Sequence, residues 1–207
     1  MLKRHWTPRY LFDRTREKLY RFTHPDLPWL TPQANSFLSQ YLTPEMVGLE
    51  FGSGRSTIFF AQKVHFLSSV EHNPIWYEKV TVWLEKNHIT NVDYRLFPRT
   101  NERNPLDEQY VQFSANFQLE SLDFVLIDGI FREYCTCLIM KKIKPGGILI
   151  IDNVNRYLPG ETLSPNSVGK DRPASSILWS ELHQTLSSWK QMWSSNGVSD
   201  TAIYFKP

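Results

Sequence analysis

The stretch Val47-Gly48-Leu49-Glu50-Phe51-Gly52-Ser53-Gly54-Arg55-Ser56-Thr57 decides the fold, because an apolar run closes on an acidic residue and passes straight into a glycine turn. Glycines at 52 and 54 permit a tight turn at the carboxyl end of a strand and a close approach of backbone to ligand, where a β-carbon would intrude. The next apolar run, Phe66-Leu67-Ser68-Ser69-Val70, closes on Glu71. That places a second carboxylate at the spacing expected for a group that takes ribose hydroxyls. The pair reads as a site for a nucleotide-type cofactor.

The choice of nucleotide narrows by residue type. A dinucleotide fingerprint asks for glycine or alanine where Thr57 stands, which disfavours NAD, and no lysine-bearing phosphate loop follows Gly54, which disfavours ATP. What remains is a ligand without phosphates and with a cationic, amino-acid-like end, beside which the Glu50 carboxylate is well placed. Three further motifs follow in order: Val70-Glu71-His72-Asn73, Asp123-Phe124-Val125-Leu126-Ile127-Asp128-Gly129 and Lys144-Pro145-Gly146-Gly147-Ile148-Leu149-Ile150-Ile151-Asp152-Asn153. In this order they resemble the class I S-adenosylmethionine-dependent methyltransferases, from about residue 47 to 206.

The resemblance implies an α/β fold: a Rossmann-like, doubly wound, mostly parallel seven-stranded sheet with a carboxy-terminal antiparallel hairpin and amino-terminal helices. It implies S-adenosylmethionine as cofactor, held by Glu50, Gly52, Ser53, Gly54, Ser56, Thr57, Glu71, His72, Asn73, Asp128 and Gly129. His72 is expected near the adenine. The family's usual third glycine is Ser56 here, whose hydroxyl is expected to bond the cofactor carboxylate. Asp128, Asp152, Asn153 and Arg132 are the expected catalytic group, at the carboxyl ends of adjacent strands where open α/β sheets bind ligands.

Two carboxylates and an amide oxygen also suit a hard divalent cation, Mg²⁺ or Ca²⁺. Asp128, Asp152 and Asn153 resemble in position the ligands of metal-dependent catechol and caffeoyl O-methyltransferases. Arg132 stands where those relatives carry a histidine, so the metal-free reading is preferred. Arg132 is then expected to bind an anionic acceptor group, or to pair at the surface with Glu133 or Asp107. His5, His24, His65, His88 and His183 show no ligand spacing.

With 207 residues, 41% hydrophobic content and seven tryptophans, the chain can bury one sizeable core. Residues 1–45 are expected to be a helical extension of the same globular unit, and 46–207 the catalytic domain. The sequence lacks an apolar run long enough to span a bilayer and an apolar leader segment, so a cytoplasmic protein is expected. Cys135 and Cys137, two apart on an expected helix, point in different directions and read as reduced packing residues. Net charge is only +2, yet residues 1–21 carry Lys3, Arg4, Arg9, Arg14, Arg16, Lys18 and Arg21 against Asp13 and Glu17. Interleaved with Trp6, Tyr10, Leu11, Phe12, Leu19 and Tyr20, this segment suits weak peripheral contact with an anionic membrane surface. The preferred reading packs its aromatic residues on the core. Without a basic stripe elsewhere, nucleic acid is disfavoured as a partner.

A proline-rich connector, 23–32, leads to a helical pattern through Ala34, Phe37, Leu38, Tyr41 and Leu42. Trp29 is read as a core anchor, with a wall of the acceptor pocket as the alternative. Crossover helices are expected over 56–64 and 73–86, the second turning Trp76, Val80, Trp83 and Leu84 to the sheet. A third strand is expected over 92–97, and a polar loop over 98–105 near the adenine. A helix through Tyr134, Leu138, Ile139 and Ile143 precedes the turn at 145–147 into the fifth strand. The proline- and glycine-bearing segment 155–173 reads as a lid or acceptor loop. The end alternates about Asn196-Gly197 as a closing hairpin.

The expected activity is methyl transfer to a hydroxyl, less readily an amine, of a small-molecule or sugar acceptor. The alternatives are an NAD(P)-dependent oxidoreductase, against which Thr57 and the lack of a Tyr-x-x-x-Lys pair argue, and a non-catalytic cofactor-binding module. Acceptor identity and oligomeric state carry no motif.

Overall fold

The structure, a computed structural model, describes residues 7–100 and 102–207. The basic and aromatic residues Lys3, Arg4 and Trp6, and His5, lie outside the described residues. Two helices, α1 (Pro8–Thr23) and α2 (Pro32–Tyr41), precede strand β1 (Val47–Phe51). Then come α3 (Arg55–Ala61), β2 (Phe66–Glu71), α4 (Pro74–Lys86), β3 (Val92–Leu96), the short α5 (Gln109–Gln112) and β4 (Leu122–Ile127). The chain ends with α6 (Arg132–Ile139), β5 (Ile143–Asp152), α7 (Ile177–Leu186), β6 (Lys190–Ser195) and β7 (Asp200–Phe205).

The seven strands lie in the order β3-β2-β1-β4-β5-β7-β6, with β7 antiparallel to both β5 and β6 and the other pairs parallel. This is the doubly wound sheet with a closing hairpin that the motif order predicts. Strand order reverses between β1 and β4, which opens a crevice at their carboxyl ends. The central strands are covered on both faces, so they read as continuous apolar runs. Alternate residues serve alternate layers. Val125, Ile127, Leu149 and Ile151 join Tyr110, Ile139, Trp179 and Leu182 in one cluster, while Phe124, Leu126, Ile148 and Ile150 join Leu38, Phe60 and Ile203 in the other.

Helix starts follow local chemistry: Asn73 and Ser176 cap α4 and α7 by accepting from the Trp76 and Trp179 amides, and Pro74 occupies the first turn of α4. Three expectations change, and the 155–173 segment shows how it is held. Ile143 begins β5 instead of closing a helix, and Pro145-Gly146-Gly147 forms an irregularity inside that strand, between the pairs Leu122/Ile143 and Phe124/Ile148. On α4, Val80 and Leu84 are buried, but Trp76 and Trp83 stand half out and stack edge to face at 5.8 Å, with the Lys79 ammonium over both. The 155–173 segment is pinned by Asn155, whose amide bonds Pro165 O and Ser167 Oγ, and by Ser164 Oγ donating to Asp200. Finally, α1 turns its apolar residues outward: its one fully buried side chain is Glu17. Cys135 is buried and Cys137 exposed, both free thiols. Among the described residues, no helix is long and apolar enough to cross a membrane.

Candidate active site

The turn after β1 is organised from below by Glu50. Its carboxylate is fully buried and accepts from the hydroxyls of Ser56, Thr57 (2.6 Å) and Ser69 (2.8 Å). Thr57 in turn accepts from the Gly54 amide at 2.9 Å. Burial raises the Glu50 carboxyl to about 7 against the pull of those hydroxyls. The Glu50 carboxylate and the Ser56 and Thr57 hydroxyls, expected beside the cofactor, bond one another and hold the shape of the loop.

The two glycines differ in kind. Gly52 has φ +94°, and a β-carbon there would lie 2.5 Å from the Gly129 nitrogen, so the turn after β1 packs directly on the turn after β4. Gly54 has no such demand: a β-carbon would meet nothing nearer than Trp76 at 3.9 Å. It lines a cavity of about 180 Å³ shared with Trp29, Ser53, Arg55, Ser56, Trp76 and Asp128. Trp29 is thus a wall of this cavity, not a core anchor. Its ring lies 6.2 Å from Trp76, under the guanidinium groups of Arg21 (4.8 Å) and Arg55 (5.7 Å).

Glu71 sits beside the same turn. One carboxylate oxygen accepts from the His72 and Asn73 amides (both 2.8 Å), the other from Ser53 N (3.1 Å) and Oγ (2.9 Å). Burial acts to raise its pKa, but these bonds and the His72 ring outweigh it and hold the group ionised below the usual range. Ser53 Oγ also meets Tyr94 OH at 2.7 Å, and Tyr94 stacks on Tyr77. The Asn73 side chain caps α4 and its amide serves Glu71, so its expected cofactor contact gives way to a structural role. His72 is part-exposed, edge to face with Tyr110 at 6.0 Å. The Tyr110 hydroxyl is buried without a partner, and a β-carbon on Gly129 would collide with it. An orphaned hydroxyl, a part-exposed imidazole and a carboxylate already fed by amides make a cradle that fits an adenosine group. Sequence reading missed Tyr110 and Tyr94: the segment 98–121 carries no motif, and Tyr94 reads as an ordinary strand residue of β3.

At the far side, β4 and β5 deliver Asp128 and Asp152 side by side. The two carboxyl groups interact electrostatically, and burial raises both; the Asp128 charge adds to this at Asp152, while Arg132 pulls both partly back. Asp152 is fixed by Thr201 Oγ1 (2.9 Å), which strand register places opposite it, and by Asn153 Nδ2 (2.8 Å). The Arg132 guanidinium is taken up by the protein itself. It pairs with the Asp128 carboxylate at 2.9 Å and donates to the carbonyls of Gly129, Asp128 and Asp152. The expected anion-binding role and the expected surface pairing of Arg132 with Glu133 or Asp107 are both corrected. Asn153 points its amide nitrogen at Asp152, so its donor, not an acceptor oxygen, addresses the pair. This donor set does not fit a divalent cation, because a fixed guanidinium already supplies the positive charge and Asn153 turns its donor to the pair.

No protein-family model and no curated protein matches the sequence. Solved structures do match the fold. A protein from Staphylococcus aureus assigned as a caffeoyl-CoA O-methyltransferase superposes with TM-score 0.58 at 16% identity over 96% of this chain and 98% of that one. A Streptococcus mutans protein assigned as a methyltransferase and solved in complex with SAH gives TM-score 0.58 at 16% identity, over 84% and 96%. An rRNA methylase from Streptococcus thermophilus gives 0.54 at 12%, over 84% and 93%. At these identities the likeness is one of architecture: the chain has the class I methyltransferase fold.

Proposed function

We propose that the protein transfers a methyl group from S-adenosylmethionine to a hydroxyl of a small-molecule or sugar acceptor. The observation that carries this is the Asp128–Asp152 carboxyl pair, set at the edge of a cavity whose other walls are the glycine turn and two tryptophans. The cofactor, when bound, supplies a methyl on a sulfonium that is already a good leaving group. The protein's tasks are then alignment and proton removal. Glu71 and the Ser53–Gly54 backbone would hold the ribose and amino-acid ends, and His72 and Tyr110 would flank the base. Trp29 and Trp76 confine the acceptor ring. Asp128 accepts the hydroxyl proton and shares it with Asp152, which Thr201 and Asn153 hold in place; Arg132 keeps the pair partly ionised. No step needs a metal.

Calorimetry with S-adenosylmethionine, S-adenosylhomocysteine and NAD tests the cofactor assignment. Binding of the first two is expected; NAD binding alone would show an oxidoreductase, and binding of none a module without this chemistry. A screen of hydroxyl-bearing acceptors, followed by mass gain, then tests the reaction.

A further inference from the structure

Helix α1 is built inside out. Its side toward the protein is charged: Glu17 is buried and paired with Arg14 (2.7 Å) and Arg21, and Asp13 lies where a β-carbon on Gly197 would strike it. Its outer side is apolar. Leu11 (48% exposed), Phe12 (63%), Leu19 (61%) and Phe22 (83%) recur with Thr15 at helical spacing and form one stripe. At 100° per residue, Lys18 borders that stripe on one edge and Arg9 and Arg16 on the other. Neither Lys18 nor Arg16 has an ion pair with a described residue; Arg16 instead lies over the Phe12 ring at 5.7 Å.

Exposed apolar surface of this kind is uncommon without an occupant. We propose that the outer face of α1 docks on an anionic lipid surface, lying in the interface without crossing it. Charge complementarity selects this occupant. Basic side chains on both borders can bury their stems and reach anionic headgroups while the stripe enters the acyl boundary. A second copy would oppose the same positive borders to each other. A nucleic acid duplex would answer the basic borders with its phosphates but leave the Leu11 and Leu19 side chains between them uncovered. The last turn of the helix adjoins the active-site cavity, since Arg21 stacks over Trp29 and its carbonyl accepts from Arg55 at 3.1 Å. Docking therefore brings the cavity mouth close to the lipid.

The test is co-sedimentation of the full chain with vesicles of phosphatidylcholine alone and of phosphatidylcholine with phosphatidylserine. Binding to the second and not the first is expected, falling as salt rises. Phe22→Ser should weaken it at least about tenfold, with Leu19→Gln as the second variant should the first melt early. Failure to sediment with the anionic vesicles, or equal sedimentation of both variants, overturns the proposal. So does a dimer in sedimentation equilibrium that Phe22→Ser dissolves, or an RNA mobility shift lost in the same variant.

Discussion

Arg132 serves four acceptors at once, the Asp128 carboxylate and the carbonyls of Asp128, Gly129 and Asp152. Removing it leaves the half-buried Asp128 and the buried Asp152 without their cation. Arg132→Leu should cost about 1–3 kcal/mol in a urea melt, below the range for a fully buried pair because solvent screens Asp128. Lysine should rescue little, because a point charge cannot span four acceptors. The pH profile gives the matching sign. Both carboxyls titrate above the ordinary range of free carboxylates, so turnover should rise with pH across a limb displaced upward from about 4. Because Arg132 lowers the pair, its loss should move that limb higher still; an unmoved limb would exclude the pair as the proton acceptor. Glu71→Gln keeps the shape and halves the negative oxygen available to ribose. Cofactor affinity in calorimetry should fall by about 1.5–3 kcal/mol in a chain that still melts cooperatively.

At the scale of the element, the turn between β1 and α3 separates folding from binding. Gly52→Ala meets both a left-handed backbone and the Gly129 nitrogen, so it should lower the melting temperature markedly and spoil cofactor binding with it. Gly54→Ala has room in the protein itself. It should stay within about 1 kcal/mol of the parent yet bind the cofactor poorly, because its β-carbon stands in the cavity. Equal damage by both would remove the cavity from the binding site. Beneath this turn, Glu50 contributes a pH-dependent term. Its folded carboxyl is raised from 4.5 to about 7, so the fold favours the protonated form. Stabilisation from Glu50 is complete below its unfolded value and is lost as pH rises through about 7. Glu50→Gln, neutral throughout, should flatten the decline in melting temperature between these two pH values.

For the whole molecule, a ligand that binds only the native state raises the melting temperature in proportion to the logarithm of its saturation. S-adenosylhomocysteine should therefore stabilise the protein, and EDTA should change neither this shift nor turnover. Restoration of turnover by Mg²⁺ after EDTA would overturn the metal-free arrangement around Arg132.

What the sequence determined by itself was the order of the strands and the turns that join them. The apolar run into Gly52-Ser53-Gly54, the acidic ends at Glu71 and Asp128, and the Asn196-Gly197 turn are local signals, readable because strand alternation and turn chemistry depend on neighbours in the chain. Helices α2, α3, α4 and, as far as Ile139, α6 follow the same logic and lie where the sequence places them. Tertiary structure decided what each site residue faces. Thr201 reaches Asp152 only because β7 pairs with β5 in one register. Glu50 faces Ser69 only because β1 and β2 lie side by side, and Trp29 meets Arg55 only where the connector crosses the glycine turn. The same holds for α1. Its periodicity marks an apolar stripe and a charged one, but the buried Glu17, Arg14 and Arg21 cluster fixes the charged side against the protein. A repeating pattern defines faces; only contacts between residues far apart in the chain choose which face turns inward.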